Sequence, residues 1–395
     1  MRLVFRIAIV GLGVLSGGHH CRGASLPNVG GQRVIVLRRR QTGKGVRPEF
    51  LSVTLLPGRG MNVFQIMAYL PGKGVVPLLY SPSLQKATTL LNGDGPDRNG
   101  NESFMMGGAL LFPFANRILG PVTSDGQYVL ATWHGRTVRL RANWRGSRPG
   151  ATPQALHGQL LRAKASSVQT TNHEDEAVAT ATYRMLANDD WFSSNLVTVR
   201  ITLEAQKIYV ALTAKNIGQH TEPVGIGWHP YFLLPSGDRT MARLHVPAAM
   251  RVAFNNQEDL FPTGKLLPVQ DTPFDFTPVV GCPLSRTIND AFVRLSHSWQ
   301  GNTMSSIADG GSGYGLQVTA MTRFVKTILV YSPADQPLIV LEPQFNNGDP
   351  FGEEWKGKNN GMVTLRPGKS VSWKTRLALF QPSIRHPTVC HTMSR

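Results

Sequence analysis

"LVTVRITL" and "KIYVALTA", residues 196–203 and 207–214, stand three residues apart and decide the fold class. In both stretches every second residue is apolar: Val197, Val199, Ile201 and Leu203 in the first, and Ile208, Val210 and Leu212 in the second. An alternation of period two places one face of a β-strand against a core and the other face towards solvent. The two stretches therefore predict an antiparallel hairpin of half-buried strands.

Other strand patterns extend this prediction over most of the chain. "VSWKTRLALF", residues 371–380, repeats the alternation directly after the turn "RPGKS". "TILVYSP" and "LIVLEPQ", residues 327–333 and 338–344, are apolar at both parities, as in strands that are buried on both faces. No amphipathic helical pattern exceeds about two turns. We therefore expect an all-β fold, a large antiparallel β-sandwich, formed as a single domain by residues 25–381.

The two ends of the chain differ from this central part. Residues 1–24 begin with two arginines, an apolar run and small residues, which is the pattern of a secretory signal peptide. The apolar run is too short to span a bilayer, and its alternative interpretation is an uncleaved first strand. We expect an exported protein, periplasmic or secreted, with no stable membrane insertion. Residues 382–395 are expected to form a loose C-terminal tail.

Charge and cysteine content limit the classes of partner. The formal net charge is +17, but the basic residues are scattered and are not interleaved with aromatic residues, so no nucleic-acid partner is predicted. A solvated basic surface is the simpler interpretation. If Cys21 is removed with the signal peptide, a disulfide bond between Cys282 and Cys390 is possible but not required. No cysteine or histidine pair has the spacing of a zinc site, so no metal is predicted.

Polar or ionisable residues interrupt apolar stretches at five places. They are Asn116 and Arg117 in "FPFANRI", His157 in "LHG", His229 in "GWHPYF", Asp290 in "NDAF" and Glu342 in "LEPQ". Each has a structural alternative, such as a strand-end arginine in water, a hydrogen-bonded core histidine or a turn aspartate. Glu342 shares the parity of the apolar residues of its strand, and an unpaired buried carboxylate is costly. Trp228, Tyr231 and Phe232 around His229 could form a wall that stacks on a sugar ring.

The chain lacks the sequence motifs of cofactor and serine chemistry. It contains no Gly-x-Ser-x-Gly elbow, P-loop, dinucleotide fingerprint or metal motif. The carboxylate, histidines and arginine that remain are suited to acid/base chemistry without a cofactor.

Taken in their order along the chain, these segments resemble the aldose 1-epimerase, or galactose mutarotase, family. The resemblance covers about residues 50–380 and ends with "MVTLRPGKSVSWKTRLALF". It implies a galactose mutarotase-like β-sandwich that converts the α and β anomers of a monosaccharide, of the galactose or glucose type, and uses no cofactor. It implies the general base Glu342, the general acid His229 and the sugar-binding residues Arg117, His157 and Asp290, with Asn116 supporting Arg117.

Two departures from the family pattern concern the substrate. Gln159 stands where the family usually has a second glycine after the first histidine, and "GWHPYF" replaces the commonest form, Asn-His-Ser-Tyr-Phe. The Trp-His-Pro form is more similar to the bacterial branch and to hexose-6-phosphate epimerases. Two alternatives therefore stay open: a hexose-6-phosphate 1-epimerase, whose phosphate the basic surface would contact, and an exported carbohydrate-binding sandwich without catalysis.

Overall fold

Antiparallel strands are the main secondary structure of the computed structural model, which describes residues 25–40, 42, 45–146, 149–173, 175–256 and 259–382. The first half of the described chain contains β1 Asn28–Val29, β2 Gln32–Arg33, β3 Ile35–Arg38, β4 Glu49–Leu56, β5 Asn62–Leu70, β6 Gly74–Pro77, β7 Gly108–Leu111, β8 Arg117–Ile118, β9 Tyr128–Trp133, β10 Arg136–Arg141, β11 Ala155–Leu156, β12 Ser167–Asn172, β13 Ala177–Met185 and β14 Asn195–Leu203. The second half contains β15 Lys207–Asn216, β16 Glu222–Val224, β17 Gly227–Leu233, β18 Ala242–His245, β19 Ala248–Phe254, β20 Pro262–Pro268, β21 Cys282–Pro283, β22 Ile288–Leu295, β23 Thr303–Asp309, β24 Tyr314–Ala320, β25 Thr327–Ser332, β26 Leu338–Gln344, β27 Val363–Leu365 and β28 Ser370–Phe380.

Helices are few and short. The α-helices are α1 Leu84–Leu90 and α2 Asn101–Phe104, and single 3₁₀ turns lie at Pro57–Arg59, Gly95–Asp97, Leu160–Arg162, Arg239–Met241 and Glu353–Trp355. The Ser83 side chain accepts a hydrogen bond from the Lys86 N–H and so caps α1. No helix in the described part of the chain has the length and apolarity that a membrane crossing requires.

A nine-stranded sheet contains the hairpin from which the sequence analysis started. Its strand order is β12, β13, β14, β15, β28, β24, β23, β18, β21. β14 pairs with β15 in antiparallel register, with Val199 opposite Leu212, and β28 pairs with the other edge of β15. Apolar residues of these strands are buried on one face, while Arg200 on the other face is exposed. The predicted hairpin and its inward face are confirmed.

A seven-stranded sheet carries the strands that were predicted to be buried on both faces. Its order is β20, β19, β22, β25, β26, β17, β7, and every residue of β26 is buried. One face packs against the nine-stranded sheet through Trp228 and Phe232, which meet Trp373 and Leu377 in the largest apolar core. The four-stranded sheet of β3 to β6 adds residues such as Phe50 to this core. The predicted antiparallel β-sandwich is confirmed.

Alternation along β17 separates the aromatic residues that were expected to form one wall. Trp228 and Phe232 are fully buried in the core between the sheets. Residues of the other parity, His229 and Tyr231, point to the opposite face of the seven-stranded sheet. The prediction of a three-ring stacking wall was therefore wrong, because two of the three rings belong to the core.

Predictions for the chain ends concern residues outside the described ranges. The predicted signal peptide, residues 1–24, lies outside the described ranges. Of the predicted tail, residues 382–395, only residue 382 is described. Cys282 is disulfide-bonded, and Cys21 and Cys390 lie outside the described residues. The pairing of Cys282 with Cys390 stays a prediction.

Candidate active site

The register of two neighbouring strands brings the predicted acid and base together. Gly227 of β17 pairs with Gln344 of β26, and Tyr231 pairs with Val340, so His229 lies opposite Glu342 midway between these pairs. Each of these two residues precedes a proline, which has no N–H to donate and interrupts the hydrogen-bond ladder there. Directly opposite side chains on one face of a sheet are in contact range. His229 Nε2 lies 3.1 Å from Glu342 Oε1.

The paired side chains line a cavity of about 300 Å³ on the face of the sheet that points away from the main core. Its volume is at the lower end of the range of about 300–1,000 Å³ that is usual for small-molecule sites. The lining residues are Phe104, Met105, Asn116, Arg117, Trp144, Leu156, His157, His229, Tyr231, Leu260, Asn289, Leu329, Tyr331 and Glu342. Five of the six predicted site residues lie in this lining: Asn116, Arg117, His157, His229 and Glu342.

Burial shifts the proton affinities of the acid/base pair in opposite directions. Desolvation raises the pKa of Glu342 to about 8, and it lowers the pKa of His229 to about 4. The hydrogen bond from Gln344 Nε2 to Glu342 Oε2, 2.6 Å long, and the nearby positive charge of Arg117 oppose the rise at Glu342. Between these values the pair holds one proton, which the two pKa values place on Glu342. A proton acceptor at Glu342 and a proton donor at His229 require the tautomer in which this proton has moved to His229.

Arg117 presents a fixed cation to the cavity. Its Nε donates to Gln154 Oε1 at 3.0 Å and its Nη1 donates to the Leu260 carbonyl at 2.6 Å. Burial lowers its pKa to about 10, and the carboxyl of Glu342 is the largest influence that opposes this fall. The side chain therefore stays charged at neutral pH. Its Nη2 has no partner among the described residues, so this atom can donate to a ligand.

His157 is held in one tautomer by the backbone of Asn116. The Asn116 N–H donates to His157 Nδ1 at 3.2 Å, which leaves the ring proton of the neutral imidazole on Nε2. Desolvation and the nearby His229 and Arg117 lower the pKa of His157 well below its usual value, so the ring is neutral. Asn116 and His157 both have positive φ, 61° and 63°. Such strained backbone is often found at functional sites. Because its Nδ1 accepts a hydrogen bond and its ring is neutral, His157 can donate Nε2–H to a ligand.

Asp290 is not brought to the cavity. It lies on β22 with its carboxylate 2.9 Å from Arg251 Nη1, and its neighbour Asn289 occupies the lining instead. Asn289 pairs with Tyr331, which also lines the cavity, whereas Asp290 pairs with Val330 of the main core. Successive residues of a strand point to opposite faces, so only one of these two side chains can reach the cavity.

Three further cavity residues were not identified from the sequence. Phe104 ends α2, in a segment rich in glycine and asparagine, and its ring centroid lies 4.9 Å from that of His157. Tyr331 shares the parity of Leu329 on β25, a signal that was present in "TILVYSP". Asn289 directly precedes Asp290, which was predicted as a site residue instead. Together with Tyr231, whose ring centroid is 5.0 Å from that of His229, they add aromatic faces and an amide.

This arrangement suits a small polyhydroxylated ligand. Arg117, His157 and Asn289 offer hydrogen bonds to hydroxyl groups, while the aromatic rings offer contacts to the apolar face of a sugar. The Glu342–His229 pair can exchange protons with the ligand. Within the described ranges no group of three or more His, Cys, Asp or Glu side chains is placed to hold a metal ion.

Comparisons with known proteins identify the family and the fold of the chain. A family model described as aldose 1-epimerase matches residues 80–378. A galactose mutarotase-like protein from Clostridium acetobutylicum has a TM-score of 0.67 at 16% identity, covering 88% of this chain and 99% of its own. An aldose epimerase homologue from C. elegans has a TM-score of 0.60 at 18% identity, covering 89% and 99%. A galactose 1-epimerase from Lactobacillus acidophilus NCFM has a TM-score of 0.58 at 13% identity, covering 89% and 99%. At these identities the structural likeness shows a shared fold.

Proposed function

Because the chain belongs to the aldose 1-epimerase family, we propose that its cavity interconverts the α and β anomers of a hexose of the galactose or glucose type. The observation that carries the proposal is the buried Glu342–His229 pair, 3.1 Å apart and facing a sugar-sized cavity. A cyclic aldose is a hemiacetal, and its ring opens when the C1 hydroxyl loses a proton while the ring oxygen gains one. The carboxylate of Glu342 and the imidazolium of His229, formed when the shared proton passes from Glu342 to His229 across their contact, perform both transfers.

Glu342 acts as the general base and His229 as the general acid in this proposal. Glu342 removes the proton of the C1 hydroxyl, the O–H electron pair forms the C1 carbonyl, and the bond between C1 and the ring oxygen breaks. His229 protonates that ring oxygen. Rotation about the C1–C2 bond presents the other carbonyl face, and the reverse transfers close the ring as the other anomer. The positive charge of Arg117 favours the carboxylate form of Glu342.

The sugar is held by the remaining lining residues. Arg117 Nη2, His157 Nε2–H and the Asn289 amide contact hydroxyl groups, and Asn116 keeps His157 in the required tautomer. Tyr231, Tyr331 and Phe104 supply apolar contact. Asp290, which the family resemblance implied as a sugar ligand, has no part in the proposed binding, because its carboxylate pairs with Arg251.

Two features of the cavity favour a neutral hexose and catalysis over the alternatives. Arg117 is the one lysine or arginine among the lining residues that the structure describes, whereas a phosphorylated hexose would be bound better by several cations. A module that only binds sugar has no use for a buried carboxylate–imidazole pair, since each group is costly to desolvate. We further propose an exported location, which the pattern of residues 1–24 supports and which cell fractionation tests.

Polarimetry tests the proposed activity. Freshly dissolved α-D-galactose and α-D-glucose are followed with and without the purified protein. We expect a faster approach to the unchanged final rotation with at least one of the two sugars. An unchanged rate with both sugars would contradict the proposal, and hexose 6-phosphates would then be the next substrates to measure.

A further inference from the structure

A second cavity, of about 260 Å³, lies on the same face of the seven-stranded sheet as the first. Asn289 of β22 lines the first cavity and Val293 of the same strand lines the second. Val293 lies four residue steps along the strand from Asn289, a distance of about 13 Å at roughly 3.3 Å per step. Lys326, in the second lining, directly precedes β25, whose residues Leu329 and Tyr331 line the first cavity. The two cavities are therefore neighbours along shared strands.

The lining of the second cavity is strongly cationic. Among the described residues it includes three cations, Arg294, Lys326 and Lys358, and no aspartate or glutamate. It also includes the imidazole of His297, whose pKa is lowered by burial and by Lys326. Lys358 Nζ donates to the Gly264 carbonyl at 2.8 Å, so this cation is fixed by the fold. Arg294 and Lys326 form no salt bridge with any carboxylate of the described residues. A concave site with uncompensated cations attracts an anionic ligand.

A polar side chain of the lining and an aromatic residue close to it in the sequence match a sugar that carries the anion. The Thr327 hydroxyl donates to Asn347 Oδ1 at 2.6 Å, which orients the amide and leaves its Nδ2 hydrogens for a ligand. Trp299 is 91% exposed and lies two residues after His297, in a turn that is outside the lining itself. An exposed indole ring offers a stacking surface for the apolar face of a pyranose.

We propose that the second cavity binds the carboxylate-bearing residue of an acidic oligosaccharide whose reducing-end sugar enters the first cavity. This inference rests on the proposed function, since it extends the substrate of the same site. Arg294 and Lys326 bind the carboxylate, and Trp299 stacks on the sugar ring. In a hexose 6-phosphate the anion is only one ring away from C1. An anion in the second cavity must therefore be carried by a different sugar residue when C1 lies between Glu342 and His229.

The test compares an acidic and a neutral trisaccharide. Anomer exchange at the reducing end of tri-galacturonate and of galactotriose is followed by NMR at low ionic strength, together with exchange of galactose. We expect kcat/KM to be about tenfold higher for tri-galacturonate than for galactotriose, the size of effect that one or two charge-assisted hydrogen bonds give. The double variant Arg294→Gln/Lys326→Gln is expected to lose this preference and to keep the galactose rate.

A matched control removes the same charge from another surface. Arg200→Gln/Lys215→Gln changes two exposed cations of the nine-stranded sheet and is expected to keep the preference. Trp299→Ala is expected to weaken the binding of both trisaccharides several-fold. Equal kcat/KM for the two trisaccharides would overturn the inference, as would an equal loss of the preference in the control variant. It would also be overturned if the double variant lost more kcat/KM with glucose 6-phosphate than with tri-galacturonate.

Calorimetry separates this inference from the proposed function. If galactose, glucose and the trisaccharides show no accelerated exchange, the proposed function fails. Titration of tri-galacturonate into the wild type and the double variant still tests the site. Binding that is lost with Arg294 and Lys326 supports the site, and equal binding by both proteins, or none by either, overturns it.

Discussion

At the scale of single residues, the proposed chemistry depends on two groups that share one proton. Burial disfavours the charged form of each group, and it therefore raises the pKa of Glu342 to about 8 and lowers that of His229 to about 4. Their contact at 3.1 Å lets one charge compensate the other. The pair titrates as a unit, and in the proposed mechanism the active form is the singly protonated pair with its proton on His229.

The pH dependence of kcat/KM follows from this proton count. Below pH 4 both groups are protonated and no base is present, while above pH 8 neither is protonated and no acid is present. We expect a bell-shaped profile with flanks near pH 4 and pH 8, after subtraction of the uncatalysed rate measured in the same buffers. A catalysed rate that rises continuously through pH 9 would show that the acid is not a member of this pair.

Asn289 and Asp290 provide a test of which β22 side chain contacts the sugar. Asn289→Ala removes a hydrogen bond in the cavity, and we expect kcat/KM for galactose to fall about tenfold. Asp290→Asn weakens the pairing with Arg251, and we expect activity within about twofold of wild type and a free energy of unfolding lower by about 1 kcal/mol. Steady-state kinetics of both variants measure kcat/KM, and thermal unfolding measures the free energy of unfolding. The reverse pattern would restore Asp290 as the sugar ligand.

At the scale of secondary-structure elements, short strands and loops fix the position of Arg117. β8 has only two residues, and Asp349 forms hydrogen bonds with the backbone of the strand and of the residue that follows it. The Asp349 N–H donates to the Arg117 carbonyl at 2.7 Å, and Asp349 Oδ1 accepts from the Leu119 N–H at 2.9 Å. In the proposed function Asp349 is thus a positioning residue, which acts on the sugar through Arg117.

Replacing Asp349 tests this positioning. We expect Asp349→Ala to raise KM for galactose several-fold with a smaller effect on kcat, because the acceptor for the Leu119 N–H is lost. Asp349→Asn keeps an acceptor oxygen and serves as the matched control, with a KM close to that of wild type. Separate kcat and KM values are needed, together with melting temperatures. A fall in melting temperature with an unchanged KM would show that Asp349 is only structural.

The sequence predicted some elements of the site better than others, for reasons that concern burial. Glu342 was recognisable because a carboxylate at an apolar parity of "LIVLEPQ" must be paired or protonated. β22 is buried at both Asp290 and Ala291, so alternation could not tell which parity of "NDAF" faces the cavity. The aromatics of "GWHPYF" were misassigned as one group, because the stretch is apolar throughout and only the packing of two sheets shows which ring belongs to which face.

At the scale of the whole molecule, the sandwich explains why one sheet carries the site. The main core covers one face of the seven-stranded sheet, and the other face holds both cavities. The net charge of +17 indicated no partner by itself. The fold gathers four basic side chains at the second cavity from three separate segments of the chain, a grouping that their sequence positions do not show.

A buried carboxylate remote from the catalytic pair affects the stability of the whole fold. Glu222 begins β16, is fully buried, and accepts a hydrogen bond from Asn195 Nδ2 at 2.9 Å. Burial raises its pKa to about 8, above the value of 4.5 for an exposed glutamate. The protonated form is favoured by folding, so this contribution to stability is present at low pH and is lost as the pH rises through about 8.

Glu222→Gln is therefore expected to change the pH dependence of unfolding. The variant should be close to wild type at pH 4.5 and more stable by about 2–4 kcal/mol at pH 9, as measured by denaturant unfolding. Glu353→Gln, which alters an exposed carboxylate, is the control and should show no such difference between the two pH values. A Glu222→Gln variant that is less stable than wild type at pH 9 would contradict this explanation.

The central claim, that Glu342 and His229 convert anomers, is tested most directly by NMR exchange spectroscopy of galactose at anomeric equilibrium. The α-to-β exchange rate is measured at pH 6 with equal concentrations of wild type and Glu342→Gln. The amide keeps the shape of the side chain but cannot take a proton from the C1 hydroxyl. We expect fast exchange with the wild type and a rate lower by about 10²–10⁴ with the variant. Equal exchange rates for the two proteins would contradict the claim.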